Sequence, residues 1–220
     1  MTYKAILFDL DGTLLDTIED IGDAVNRILE QNGFPAHNMD TYRRFVGDGA
    51  RNLIIRVLPE DKRIDTIIRP CLDAFLEDYG RNWNVKTAPY DGIPELLDTL
   101  TARRLKMAVL SNKPHEYTIK CMEGFLPDWR FDVVFGQRDD VPRKPDPAGA
   151  LEIAKQLNIP PSEFLYLGDT EIDLKTSIAA GMFPVGALWG FRSAEELRGS
   201  GAKVLIEKPL DVMKQCWNLI

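Results

Sequence analysis

Apolar positions follow two rhythms along this chain. The first is a short unbroken run, Ala5-Ile6-Leu7-Phe8, closed by Asp9. A brief apolar run with a polar stop predicts a buried strand, here Tyr3 to Phe8. From Asp16 to Tyr79 the rhythm changes. Leu29, Leu53, Ile54, Val57, Leu58, Ile67, Ile68, Leu72, Phe75 and Leu76 recur at three- and four-residue steps, the period of amphipathic helices. Asp16-Thr17 followed by Glu19 and Asp20 predicts a helix N-cap with an acidic first turn, and Gly33-Phe34-Pro35 predicts its end.

Beyond Pro89 strands and helices alternate. Strands are predicted at Met107–Leu110, Val133–Phe135, Phe164–Leu167, Val185–Leu188 and Val204–Ile206. Helices are predicted at Ile93–Arg103, Pro114–Phe125, Pro147–Leu157, Ile172–Ala180, Ala194–Arg198 and Pro209–Trp217. Such alternation implies an α/β fold, a Rossmann-like parallel sheet with helices on both faces. The helical stretch after the first strand is too long for a simple crossover. It predicts an inserted helical cap domain at residues 15–88, with the core built from 1–14 and 89–220. Phe131, Phe135, Phe164 and Trp217 are expected in the core.

Composition narrows the function. The 220 residues are 45% hydrophobic and 28% charged, ordinary globular values. A net charge of −7 argues against nucleic acid or an anionic membrane as partner. It leaves a phosphorylated substrate open, because a local cation can reverse the sign inside a pocket. No stretch approaches the ~20 apolar residues of a membrane span, and the N-terminal run is too short for a signal peptide. Cys71, Cys121 and Cys216 are scattered without zinc or redox spacing. They are expected to be small buried residues in a reduced, cytoplasmic compartment. No partner protein is implied.

In a doubly wound sheet ligands bind outside the carboxyl ends of the strands. Asp9 and Asp11 follow the first predicted strand, Ser111 and Asn112 the second, Lys144 a loop after the third, and Asp169 the fourth, with Asp173 four residues on. Asp9 and Asp11, two apart on an extended segment, point the same way. Asp169 and Asp173, four apart, share a helix face. Gly12 and Gly168 permit the turns. Lys144, preceding Pro145, is kept out of the following helix. Several carboxylates on one rim need a compensating cation, and an all-oxygen set favours Mg²⁺.

Four stretches then become recognisable together. Asp9-Leu10-Asp11-Gly12-Thr13-Leu14-Leu15-Asp16-Thr17, Ser111-Asn112, Lys144-Pro145-Asp146-Pro147 and Gly168-Asp169-Thr170-Glu171-Ile172-Asp173 resemble, in order, the four signatures of the haloacid dehalogenase superfamily. The resemblance implies that Asp9 is a nucleophile and Asp11 a general acid and base. It implies that Ser111, Asn112 and Lys144 hold phosphate. The carboxylates of Asp9 and Asp169 and the backbone carbonyl of Asp11 would hold Mg²⁺, with Asp173 in support. An acid at position 11 points to phosphoryl transfer rather than carbon–halogen cleavage.

The glycine-containing stretch Val46-Gly47-Asp48-Gly49-Ala50-Arg51 resembles a cap loop of phosphoglycolate phosphatases, with Gly47 and Gly49 against the substrate and Arg51 gripping a carboxylate. Trp189-Gly190-Phe191-Arg192 resembles the same group and also reads as packing near the rim. The expected activity is hydrolysis of a small phosphate monoester, best phosphoglycolate. A mutase of the β-phosphoglucomutase kind and a pyrophosphatase stay open. Asp16 and Thr17 read as capping residues, Asp139-Asp140 as a solvated turn, and His37 and His115 lie outside the signatures.

Overall fold

The computed structural model describes residues 3–217; the outermost ends of the expected core, at residues 1 and 220, lie outside them. In chain order the elements are β1 (Ala5–Phe8), β2 (Leu15–Asp16), α1 (Ile18–Gln31), α2 (Met39–Phe45), α3 (Ala50–Val57), α4 (Asp65–Asn82), β3 (Ala88–Pro89), α5 (Ile93–Ala102), β4 (Lys106–Pro114), α6 (His115–Phe125), β5 (Val133–Gln137), α7 (Ala148–Leu157), β6 (Phe164–Gly168), α8 (Glu171–Ala180), β7 (Phe183–Ala187), α9 (Ala194–Gly199) and β8 (Val204–Ile206).

Six strands form a parallel sheet in the order β5-β4-β1-β6-β7-β8. The apolar run of β1 is central and buried on both faces. Its side chains alternate. Ile6 and Phe8 join one core with Leu96, Leu97 and Leu100 of α5, while Ala5 and Leu7 join another with Ala150 and Ile153 of α7. Each buried Leu, Ile or Phe contributes roughly 1.5–3 kcal/mol relative to exposure.

Register aligns the strand ends. Phe8 pairs with Val109 on one side and Leu167 on the other. One step on, Asp9 is level with Leu110 and Gly168, so Ser111 and Asp169 arrive just beyond it. Chemistry therefore gathers outside the carboxyl ends of β1, β4 and β6.

The helices α1 to α4 pack around their own apolar cluster, including Ile18, Val25, Tyr42, Leu53, Ile54 and Phe75. Tyr117 of α6 and Phe191, between β7 and α9, join that cluster from the sheet side. The layer is entered and left at one place, because β2 pairs antiparallel with β3, Leu15 against Pro89 and Asp16 against Ala88.

Two elements depart from the sequence pattern. β4 runs past the apolar residues to Pro114, because the sheet continues through Ser111 and Asn112 into a second pairing, Pro114 with Gln137. The expected helix Pro209–Trp217 opens as a turn at Pro209 and Leu210 and is wound as a π-helix over Met213–Trp217. The backbone N–H of Lys208 donates to Asp211, holding the entry as a turn. Trp217 donates its indole N–H to the carbonyl of Tyr3, and the rings meet edge to face at 6.0 Å. Cys71, Cys121 and Cys216 are buried free thiols. Phe164 is fully buried; Phe131, Phe135 and Trp217 are half-buried against the cores. Among the described residues no helix is long and apolar enough to cross a membrane.

Candidate active site

Lys144 is the hub of the rim. Its ammonium donates to Asp9 Oδ1 at 2.7 Å, to Asp173 Oδ1 at 2.6 Å and to the carbonyl of Leu110 at 2.8 Å, using all three N–H bonds. It is 3% exposed, yet Asp173 and Asp9 outweigh the burial that opposes its charge, and its pKa is raised. Asn112 fixes its backbone. The amide oxygen of Asn112 accepts from Lys144 N at 2.9 Å, and the amide nitrogen donates to the carbonyls of Lys144 and Gly47 at 3.0 and 3.1 Å. Both N–H donors of that amide are thus committed to backbone. The side chain expected on phosphate instead ties the lysine loop to the glycine loop of the helical layer.

Oxygen atoms of Asp9, Asp169 and Asp173 lie within 4.8 Å of one another. Lys144 serves Asp9 and Asp173, leaving Asp169, fully buried, with neutral donors only. Thr13 Oγ1 donates to its Oδ1 at 2.9 Å, and Phe191 N–H to its Oδ2 at 2.8 Å. Burial raises the pKa of Asp169 well above the ordinary range, and Asp9 and Asp173 add to this. Asp9 is pushed up to about 7, first by burial and then by Asp173, against the pull of Lys144. Three carboxylates facing one ammonium leave two negative charges uncompensated in a buried site. That deficit and the all-oxygen donor set fit a hard divalent cation such as Mg²⁺. Asp173 is less free to act as a ligand, since its Oδ2 also accepts from the backbone N–H and hydroxyl of Thr170, at 3.1 and 2.7 Å.

Two glycines make the approach to Asp169 possible. Gly12 has φ +90°, and a Cβ there would collide with the Asp169 carboxylate. A Cβ on Gly190 would collide with the Asp169 side chain and with the carbonyl of Gly12.

Asp11 lines the same cleft as Asp9. Its Oδ1 accepts from Thr17 Oγ1 and from Lys113 Nζ, both at 2.7 Å. Thr17 does not cap α1 through its side chain. It orients Asp11 instead, correcting the capping role read from sequence. Lys113 is buried and its ammonium lies 4.8 Å from the centre of the Tyr79 ring. Burial opposes its charge, but Asp11 reverses that, and its pKa is raised.

The cleft is open to solvent and lies between the sheet rim and the helical layer. Asp9, Asp11, Ser111, Asn112 and Lys113 form its floor, and Val46, Gly47, Gly49, Leu53, Phe75 and Tyr79 its roof. Ser111 is buried there, its hydroxyl accepting from Lys113 N at 3.2 Å. The structure thus brings Gly47 and Gly49 to the site. It does not bring Arg51, which is exposed and pairs with Asp65 at 2.6 Å. Ala50 at the start of α3 lines the cleft, and the next residue on that helix turns outward.

Sequence reasoning assigned no role to Lys113, Thr13 or Tyr79, read Thr17 as a cap, and named Phe191 only as part of a stretch near the rim. Lys113 carried a signal, since it follows Ser111-Asn112 at the end of an apolar strand. Tyr79 carried none, because its spacing is that of any buried helix position.

Comparison with known proteins agrees with this geometry. The family model for haloacid dehalogenase-like hydrolases matches residues 6–187. A phosphoglycolate phosphatase of Aquifex aeolicus is 31% identical over 217 residues, covering 99% of this chain and 98% of the relative. One from Colwellia psychrerythraea is 32% identical over 203 residues, covering 90% of each. A solved structure from Lactobacillus delbrueckii subsp. bulgaricus superposes with a TM-score of 0.91 at 31% identity, covering 97% of this chain and 98% of the other. The chain belongs to the haloacid dehalogenase-like hydrolases.

Proposed function

We propose that this enzyme is a Mg²⁺-dependent phosphatase that hydrolyses a small phosphate monoester, phosphoglycolate in the first instance, through a phosphorylated Asp9. The observation that carries the reading is the pairing of two carboxylates in one cleft, each held by its own lysine: Asp9 by Lys144 and Asp11 by Lys113.

Asp9 attacks phosphorus with a carboxylate oxygen, forming the Asp9 O–P bond as the bond to the leaving oxygen breaks. Lys144 holds Asp9 at its Oδ1. Asp11 gives the leaving oxygen a proton, then takes one from the water that attacks the phosphorylated aspartate. Both hydrogen bonds to Asp11 fall on Oδ1, which leaves Oδ2 for proton transfer. Inorganic phosphate leaves and Asp9 is restored. Ser111, buried at the cleft floor, would hold a phosphate oxygen. Asp9, Asp169 and the backbone carbonyl of Asp11 would hold Mg²⁺, which supplies charge neutralisation as negative charge develops on the transferring group. The helical layer acts as a cap, with Gly47 and Gly49 over the substrate and the apolar roof excluding water. A carboxylate on the leaving group would be met by Lys113, in the role expected of Arg51.

The test is phosphate release from a panel of monoesters and pyrophosphate, with Mg²⁺ and with chelator. Release that needs Mg²⁺, is highest for phosphoglycolate and is lost in Asp9→Asn is the expected result. Turnover by Asp9→Asn at the native rate would sink the mechanism. Isomerised sugar phosphate without released phosphate would replace hydrolysis by transfer.

A further inference from the structure

The segment Trp189-Gly190-Phe191-Arg192 touches both sides of the cleft. On the sheet side, Phe191 N–H donates to Asp169 Oδ2 at 2.8 Å. Trp189 Nε1 donates to the carbonyl of Thr13 at 2.9 Å, and the hydroxyl of Thr13 donates to Asp169 Oδ1 at 2.9 Å. Both carboxylate oxygens of Asp169 are therefore oriented directly or indirectly by this segment.

On the helical side, the Phe191 ring is buried in the cluster formed by α1 to α4. Arg192 follows it and is 8% exposed. Its guanidinium donates to the carbonyl of Arg43, and at 3.3 Å each to those of Arg44 and Val46. Its Nε donates to Glu171 Oε2 at 3.0 Å, anchoring it beside the first residue of α8. The three carbonyls close the end of α2, where a helix leaves carbonyls without partners and favours a cation. The chain then runs directly into Gly47 and Gly49, which roof the cleft.

We propose that Phe191 and Arg192 form a latch that couples closure of the helical layer to the orientation of Asp169, so that cap closure and Mg²⁺ binding favour each other. The proposal rests on the reading of Asp169 as a metal ligand. Lifting the end of α2 away from the rim breaks three hydrogen bonds to Arg192. It also drags on the ring of the residue whose N–H holds Asp169. Fixing Asp169 through a bound ion in turn fixes Phe191, and with it the position of Arg192 beneath α2. Arg192 is here a positioning residue, acting on the site through its neighbour. Linkage requires the two effects to have the same size from either direction.

The experiment measures both directions in the full chain. Mg²⁺ affinity is read by calorimetry, and amide exchange over residues 39–49 is followed with Mg²⁺ and with chelator. In the native chain Mg²⁺ is expected to slow that exchange about fivefold, within the usual range of coupling. Arg192→Met is expected to speed the exchange, make it insensitive to Mg²⁺ and weaken Mg²⁺ binding by the same factor of about five. Arg192→Lys, which retains the charge with fewer donors, is expected to fall between and decides the matter if the methionine variant does not fold. Faster exchange with unchanged Mg²⁺ affinity would overturn the latch and leave Arg192 a plain strut. Exchange in the native chain that ignores bound Mg²⁺ would overturn it as well. A native chain that binds no Mg²⁺ would remove the metal reading itself, and the latch with it.

Discussion

Lys113, buried, and Asp11, half-buried, form an ion pair, ammonium to carboxylate oxygen at 2.7 Å, and the lysine lies against the face of Tyr79. The pair joins the proposed proton-transfer group to the part of the cleft where a leaving group would lie. Lys113→Met should therefore impair two things at once. With an uncharged leaving group only the orientation of Asp11 is lost, and kcat should fall about tenfold to a hundredfold. With phosphoglycolate KM should rise in addition, about tenfold or more. Steady-state kinetics on both substrates separates the two effects. An equal loss on both would show that Lys113 does not meet the carboxylate.

Lys144 predicts a stability effect. Replacing it by methionine leaves Asp9 and Asp173 facing each other without a cation, in surroundings where both are buried. Breaking such a pair costs about 3 kcal/mol, which lowers the melting temperature by roughly 6–12 °C in a chain of this size. Adding Asp173→Asn should return part of the loss, and a thermal melt of the double variant measures the coupling. Additive losses would show that the two groups do not interact.

The raised pKa of Asp9 predicts how metal stabilisation varies with pH. Its ordinary value is 3.8 and its folded value about 7. Between these values the folded chain binds more protons than the unfolded one, so stability falls as pH rises. The cost of the ionised carboxylate is complete above about pH 7, where a bound cation offsets it most. Mg²⁺ should therefore raise the melting temperature more at pH 8 than at pH 5, by about 5 °C against about 1 °C. Asp9→Asn should shrink the difference without abolishing it, because the buried Asp169 also carries a raised pKa. Equal Mg²⁺ shifts at both pH values would count against Asp9 as a ligand.

Gly190→Ala should disable the metal site without removing a charged group. The added methyl would meet Asp169 and the carbonyl of Gly12. We expect Mg²⁺ affinity to fall by about tenfold to a hundredfold, the usual cost of disturbing a ligand's support. Calorimetry on the folded variant checks this. Affinity unchanged would mean that the loop yields without moving Asp169.

The sheet and its chemistry were legible because parallel strands announce themselves as apolar runs, and polar residues at their ends have few other uses. Asp9, Ser111 and Asp169 all follow from that rule and from the register of β1, β4 and β6. The failures have a common origin. Arg51 and Ala50 differ by one position, and a helix turns about 100° per residue, so placing the cleft on one and not the other needs the orientation of α3. Thr17 occupies a capping position by sequence, yet its hydroxyl donates to Asp11 and accepts no cap hydrogen bond from the helix. Asn112 has the right neighbours for phosphate but gives its donors to the Lys144 and Gly47 carbonyls. Such choices between equivalent partners are made in three dimensions.

The antiparallel pairing of Leu15 with Pro89 and of Asp16 with Ala88 makes the whole helical layer a side excursion from the sheet. Its two ends are stitched side by side, so the order in which the six sheet strands are threaded does not depend on what lies between them. A different excursion of different length could be spliced at this point without re-routing any strand of the sheet. The carboxylates and lysines of the sheet rim and the glycine-containing roof over them are thus carried on stretches of chain that mutation and recombination can alter separately.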